Sequence, residues 1–170
     1  MASKNAQELR ERIDTAWENL SRQLPGMEAH MERADAPGEW TTREVLSHLL
    51  FEPGFDPAEI LSKFAERDYP LVEITPGDTY LNDQRRGMTL AQFREALDTQ
   101  RRRVLSYLDG LAELEFDRKA RIPLFKQFMG TDEITISMYV GALFDYHWND
   151  HAGQLAKIRH VVGLAGGSVA

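Results

Sequence analysis

The sequence predicts an all-α protein, an antiparallel four-helix bundle with long crossover loops. Apolar residues recur at three- and four-residue spacings in separate stretches, capping signatures open several of these, and no segment clearly alternates as a half-buried strand would. No internal repeat is present, so the 170 residues are most simply a single domain, 1–170, long enough to bury roughly 70% of the unfolded surface in one core.

The first helix is expected over about Ser3 to Leu24, where Leu9, Ile13, Trp17, Leu20 and Leu24 fall on one face, and Pro25-Gly26 ends it. A polar connection with an exposed His30 leads to Glu39. Thr41 and Glu44 form a capping box, so a second helix starts at Thr41, with Trp40 packing onto its first turn as a hydrophobic staple. Val45, Leu46, Leu49 and Leu50 make its buried stripe, and His48 lies beside that stripe, facing inward. Pro53-Gly54 breaks this helix. Asp56-Pro57-Ala58-Glu59 then supplies a new N-cap, a first-turn proline and an acidic first turn, opening a piece that runs to about Arg67.

From Asp68 to Met88 the chain reads as loop, with a short extended piece at Leu71 to Ile74 and a helical turn or two within Asp78 to Arg86. Thr89 and Gln92 form another capping box, ahead of a helix carrying Leu90, Phe93, Leu97, Val104, Leu108 and Leu111. Arg101, Arg102 and Arg103 point in three directions around it and read as a solvated face with acidic neighbours. Ala112 to Gly130 is expected to be a loop whose Ile122-Pro123-Leu124-Phe125 patch covers the core. The last helix is expected from Thr131 or Asp132 to Val162, stopped by Gly163 and the tail Gly166-Gly167-Ser168. Its apolar stretch Ile134 to Phe144 suggests a central position or a subunit contact, and hence a homodimer.

Composition narrows the chemistry. With no cysteine, disulfides, thiolate metal sites and a thiol nucleophile are excluded, and a reducing cytoplasm is the expected compartment. A formal charge of −7 and a pI near 5.2 argue against nucleic acid as a partner, and no window is apolar enough for a membrane span. No phosphate loop follows a strand, and no Ser-His-Asp or paired-carboxylate constellation stands out.

The chemistry centres on Phe144 to Arg159. In a helix His147 and His151, four residues apart, stand about 6 Å from each other along the axis on nearly one bearing, so both imidazoles can reach one ion. His48, on a separate helix, is the best third donor, since bundles build metal sites from facing helices. The alternatives are two partly exposed helix histidines and a hydrogen-bonded core His48. Trp148 stands where a zinc protease's glutamate would be, so the pair is not that motif. Asp150, three residues from His147, is placed to orient its second nitrogen or simply to face water, whereas the cap already explains Glu44. His160 lies off this face, as a cation at the helix C-terminus.

Trp40-Thr41 leading through Glu44 to His48-Leu49, with His147-x-x-x-His151-x-Gly153-Gln154-Leu155 in the last helix, resembles the DinB/YfiT-like superfamily. In weaker form the resemblance extends over most of the chain, including Asn82. It implies a four-helix bundle in which His48, His147 and His151 ligate a divalent metal, nickel or zinc, next to a small-molecule substrate. It also implies a metal-dependent enzyme that activates water or a low-molecular-weight thiol co-substrate against a small electrophile. The alternative is a non-catalytic, stress-induced metal-binding bundle. Many relatives carry arginine where this chain has Ala152, which puts an anion contact there in doubt.

Overall fold

A computed structural model describes residues 3–65 and 69–165. The expected end of the second helical piece near Arg67 and the glycine tail fall outside the described residues.

Helix α1 (Lys4–Ser21) opens on Ser3, whose hydroxyl accepts from the Ala6 amide, and buries Leu9, Ile13 and Leu20 as its periodicity predicts. Helix α2 (Thr42–Leu49) carries the expected capping box, with the Thr41 amide donating to the Glu44 carboxylate at 2.8 Å. Helix α3 (Pro57–Lys63) starts on Asp56, α4 (Asp83–Arg86) on Asn82, and α5 (Leu90–Asp109) on the Thr89–Gln92 box. The residue type noted at Asn82 is thus a cap, its side chain accepting from the Arg85 amide at 2.9 Å. His30, expected to be exposed, is half-buried in a 3-10 turn. The three consecutive arginines bind acids as expected: Arg101 holds Asp14 and Asp98, Arg102 holds Glu95 and Asp98, and Arg103 holds Asp56.

Two expectations are corrected in the second half of the chain. Ala112 to Gly130 is an ordered strap: a 3-10 turn, strand β1 (Lys119–Arg121), a second 3-10 turn and the short helix α6 (Lys126–Met129). Strand β2 (Glu133–Thr135) pairs antiparallel with β1, aligning Ala120 with Ile134, and Val72 donates to the Arg121 carbonyl at 2.9 Å from the extended piece read at Leu71 to Ile74. Strands of three residues are too short to display alternation in a sequence. Because Glu133–Thr135 is committed to that pairing, the last helix starts at Ile136 rather than near Asp132, capped by the Thr135 hydroxyl.

That helix runs as α7 (Ile136–Gly141), a π turn (Ala142–Tyr146) and α8 (His147–Val161). In the π turn the His147 amide donates to Ala142, one residue further back than an α ladder would place it. Arg12 of α1 reaches Asp145 in this turn at 2.7 Å, passing over Gly141, where an added Cβ would stand 3.2 Å from its guanidinium. Asn149 donates to Asp145 at 2.9 Å and accepts from Asn19 at 2.8 Å, which extends the polar seam between α1 and α8.

Helix α1 packs against α5, α7 and α8, α2 against α5 and α8, and α3 against α5. Trp148 is fully buried at the centre, with its ring 5.7 Å from Trp17 and 5.3 Å from Phe144. Ile134, Ile136, Tyr139, Val140 and Phe144 are all buried by the chain itself, so the stretch that suggested a subunit contact is already covered. Among the described residues, no helix is long and apolar enough to cross a membrane.

Candidate metal centre

His48 stands in the last turn of α2, and His147 and His151 occupy successive turns at the start of α8. The capping box fixes where α2 begins and therefore the bearing of His48 two turns later. The structure brings all three predicted residues together. The Nε2 atoms of His48 and His147 are 2.8 Å apart, and one donor atom from each of the three rings lies within 4.8 Å of the others. His160 is exposed and apart from them, as expected.

At their other nitrogens two of the rings meet an oxygen. His48 Nδ1 lies 2.6 Å from the Asp78 carbonyl, and His151 Nδ1 lies 2.8 Å from Gln154 Oε1. His147 Nδ1 is buried without a hydrogen-bond partner, although the Leu143 carbonyl, which the π turn deprives of the His147 amide, raises the pKa of that ring against burial. A carbonyl can only accept, so Asp78 and Gln154 put the ring protons of His48 and His151 on Nδ1 and leave Nε2 of those two rings as a lone pair. Asp150 does not orient His147. It is exposed at the rim, where its charge raises the pKa of His151 against burial and the neighbouring His48.

Burial disfavours charge on all three rings. It lowers His48 despite the Asp78 carbonyl and lowers His151 despite Gln154. His147 is held down to about 3, first by burial and then by His151 and His48. Neutral imidazoles are what a metal ion binds.

A cavity of about 670 Å³ opens from the three rings. Trp40 forms one wall. Expected as a staple on α2, it also lies against the imidazoles, 4.8 Å from His48 and stacked on His151 at 6.2 Å with 7° between planes. Two crossovers supply much of the rest, Ile74 to Gly77 with Tyr80, and Leu124, Phe125, Phe128 and Met129 from the strap, and the π turn adds Ala142, Leu143 and Tyr146. Tyr80, stacked on His48, and Phe51, against His147, have backbone φ of 53° and 61°, a conformation that bulky side chains enter at a cost of order 1–3 kcal/mol. Buried Arg85 offsets part of that cost by donating to the carbonyls of Ser47 at 2.9 Å and Tyr80 at 3.2 Å, which ties the crossover to α2 beside His48.

Sequence reasoning missed the Asp78 carbonyl, Gln154 and the cavity walls. Gln154 was within reach, being three residues from His151 on one helix face. The others depend on where loops fold back, which leaves no periodic signal.

Neither a family model nor a curated protein matches the sequence. Solved structures do match its fold. YfiT from Bacillus subtilis, described as a probable metal-dependent hydrolase with an unusual four-helix bundle topology, superposes with a TM-score of 0.67 at 18% identity over 97% of this chain and 92% of that one. A Streptococcus pneumoniae protein gives 0.64 at 16% identity, over 95% of this chain and 94% of its own. An uncharacterized Clostridium difficile 630 protein gives 0.65 at 14% identity, over 95% and 99%. Nearly complete coverage in both directions, at identities that speak for architecture alone, establishes that this chain has the YfiT-like four-helix fold.

Proposed function

We propose that His48, His147 and His151 bind one divalent ion, nickel or zinc, through their Nε2 atoms, and that the protein is a metal-dependent enzyme acting on a small electrophile with water or a low-molecular-weight thiol as nucleophile. The observation that carries this reading is the convergence of the three imidazoles: one donor atom from each lies within 4.8 Å of the others, and the Nε2 atoms of His48 and His147 are 2.8 Å apart. Burial lowers the pKa of all three and holds His147 down to about 3, so the rings meet as the neutral imidazoles that bind an ion.

A bound ion of this kind lowers the pKa of a coordinated water or thiol and polarises a carbonyl. The chain's own residues do the positioning. Asp78 and Gln154 hold His48 and His151 to one tautomer, as the outer partners of ligand histidines do. Trp40 limits water on one side, and the cavity leaves room for a substrate on the other. Three protein ligands beside an open cavity suit a catalytic site better than a closed structural one.

Zinc and nickel titrations of purified protein, followed by calorimetry and metal analysis, test the reading. One ion per chain is expected, with uptake lost in His48→Ala, His147→Ala and His151→Ala. Failure of the unaltered protein to bind either metal at micromolar concentration would end the proposal. Stoichiometric uptake without turnover of any ester, amide or thiol–electrophile pair would favour a non-catalytic metal-binding bundle.

A further inference from the structure

The cavity is specific in what it offers a ligand. Its walls are aromatic and aliphatic, and among the described residues that line it there is no lysine or arginine. The one lining carboxylate is Asp150, exposed at the rim. Two further acids reach the site electrostatically: Asp78 and Glu52 both add to the upward shift that burial imposes on the Tyr80 phenol. An anionic group entering the metal-free cavity would leave water for an apolar wall, meet no cationic lining residue, and face one carboxylate at the rim with the fields of two more, while Arg12, 5.6 Å from the Tyr146 ring, is already paired with Asp145.

The mouth adds an independent observation. Phe128 is 73% exposed and Tyr146 66% exposed, while Met129 stands beside them at 37%. They project from separate elements, the strap and the π turn, yet line one cavity. Large apolar side chains grouped at a cavity entrance mark a contact surface for an apolar ligand. The strap also holds its position, because Ile122 and Phe125 on either side of Leu124 are buried in the core.

We propose that this cavity takes an uncharged, largely apolar substrate group, that Phe128, Tyr146 and Leu124 determine its specificity, and that it discriminates against anions. The inference rests on reading the histidine cluster as the reacting centre, and it narrows that reading. The substrate is a neutral aromatic or branched aliphatic electrophile, and a nucleophile that carries carboxylates is disfavoured relative to water.

Equilibrium binding of two ring-matched probes, 2-naphthol and 2-naphthalenesulfonate, tests this at neutral pH with the full chain held metal-free by chelator. The neutral probe is expected to bind at least about tenfold more tightly than the sulfonate. Phe128→Ala should weaken naphthol binding on the order of tenfold, whereas Phe128→Lys should reduce the preference by strengthening the sulfonate. Phe128 is exposed, so both variants should fold, which circular dichroism checks. Equal or tighter binding of the sulfonate to the unaltered protein, or naphthol affinity unchanged in Phe128→Ala, would overturn the proposal. Zinc titration run in parallel separates the two readings. A protein that binds naphthol selectively but no zinc upholds the cavity's preference and sinks the metal centre, while one that binds zinc but not naphthol sinks only this inference.

Discussion

The two sides of the cavity are built differently. The imidazoles stand on helices whose starts are fixed by caps or by continuity through the core, and His48 and His151 each have an oxygen to hold them. The facing wall is made of crossovers: the 74–80 segment, held by Arg85 and by the Tyr80 hydroxyl donating to Thr75, and the strap, held by Ile122, Phe125 and its short pairing with β2. Only the helical side has its polar groups matched to one geometry. The loop side offers shape and apolar surface, so reactivity and specificity are carried by parts of the chain that can change separately.

The largest test of that division is His147→Ala. It should abolish metal uptake, a loss of at least about a hundredfold in affinity, while leaving the bundle folded, because Trp148, Phe144 and Leu155 already fill the core around it. Unfolding of this variant, or of the chelated protein, at room temperature would mean that the ion staples the helices together.

Acidification comes next. The folded protein holds His147 down to about 3, and His48 and His151 below their ordinary 6.5, so the unfolded chain binds more protons wherever the pH lies between these values. Stability of the metal-free protein should therefore be full above about pH 6.5 and fall as the pH drops from there toward 3. Thermal melts in chelator across that range check the sign, and the His147→Ala variant should show a shallower decline. Smaller still is Gln154→Ala, which removes the oxygen 2.8 Å from His151 and should weaken metal binding about tenfold without changing the cavity's probe preference. At the bottom of the scale, Phe128→Ala should leave metal affinity unchanged and stability within about 0.5 kcal/mol, since the ring is 73% exposed. A large metal defect in that variant would mean that the two walls are coupled.

The same division governs how much could be read in advance. Capping boxes at Thr41 and Thr89 placed α2 and α5 to within a residue, and the spacing of His147 and His151 with an inward His48 anticipated the cluster. Such signals are local, depending on residues three or four apart. The strap was hidden because its pairing joins residues 119–121 to 133–135 through strands too short for a pattern, and the stacking of Trp40 on His151 left no signal because the two lie 111 residues apart. The π turn did leave a trace. Ile136, Val140, Phe144, Trp148 and Ala152 are buried at uniform steps of four, each of which drifts ~40° around an ideal helix. So long a run of fours on one buried face calls for a wide turn to absorb the drift.

That turn makes the cluster depend on a count as well as on composition. Between Gly141 and His147 the chain spends one residue more than an α ladder would need, and that residue sets the phase of everything after it. Straightening of the turn into a regular ladder with every residue kept would rotate α8 relative to α7 by ~100° with a slide of ~1.5 Å. All three histidines would remain in the sequence, with His147 and His151 still four apart on a sound helix, yet they would no longer share a point with His48. Descendants of this chain that lost the wide turn without losing a residue would keep every recognisable letter of the motif and none of its geometry.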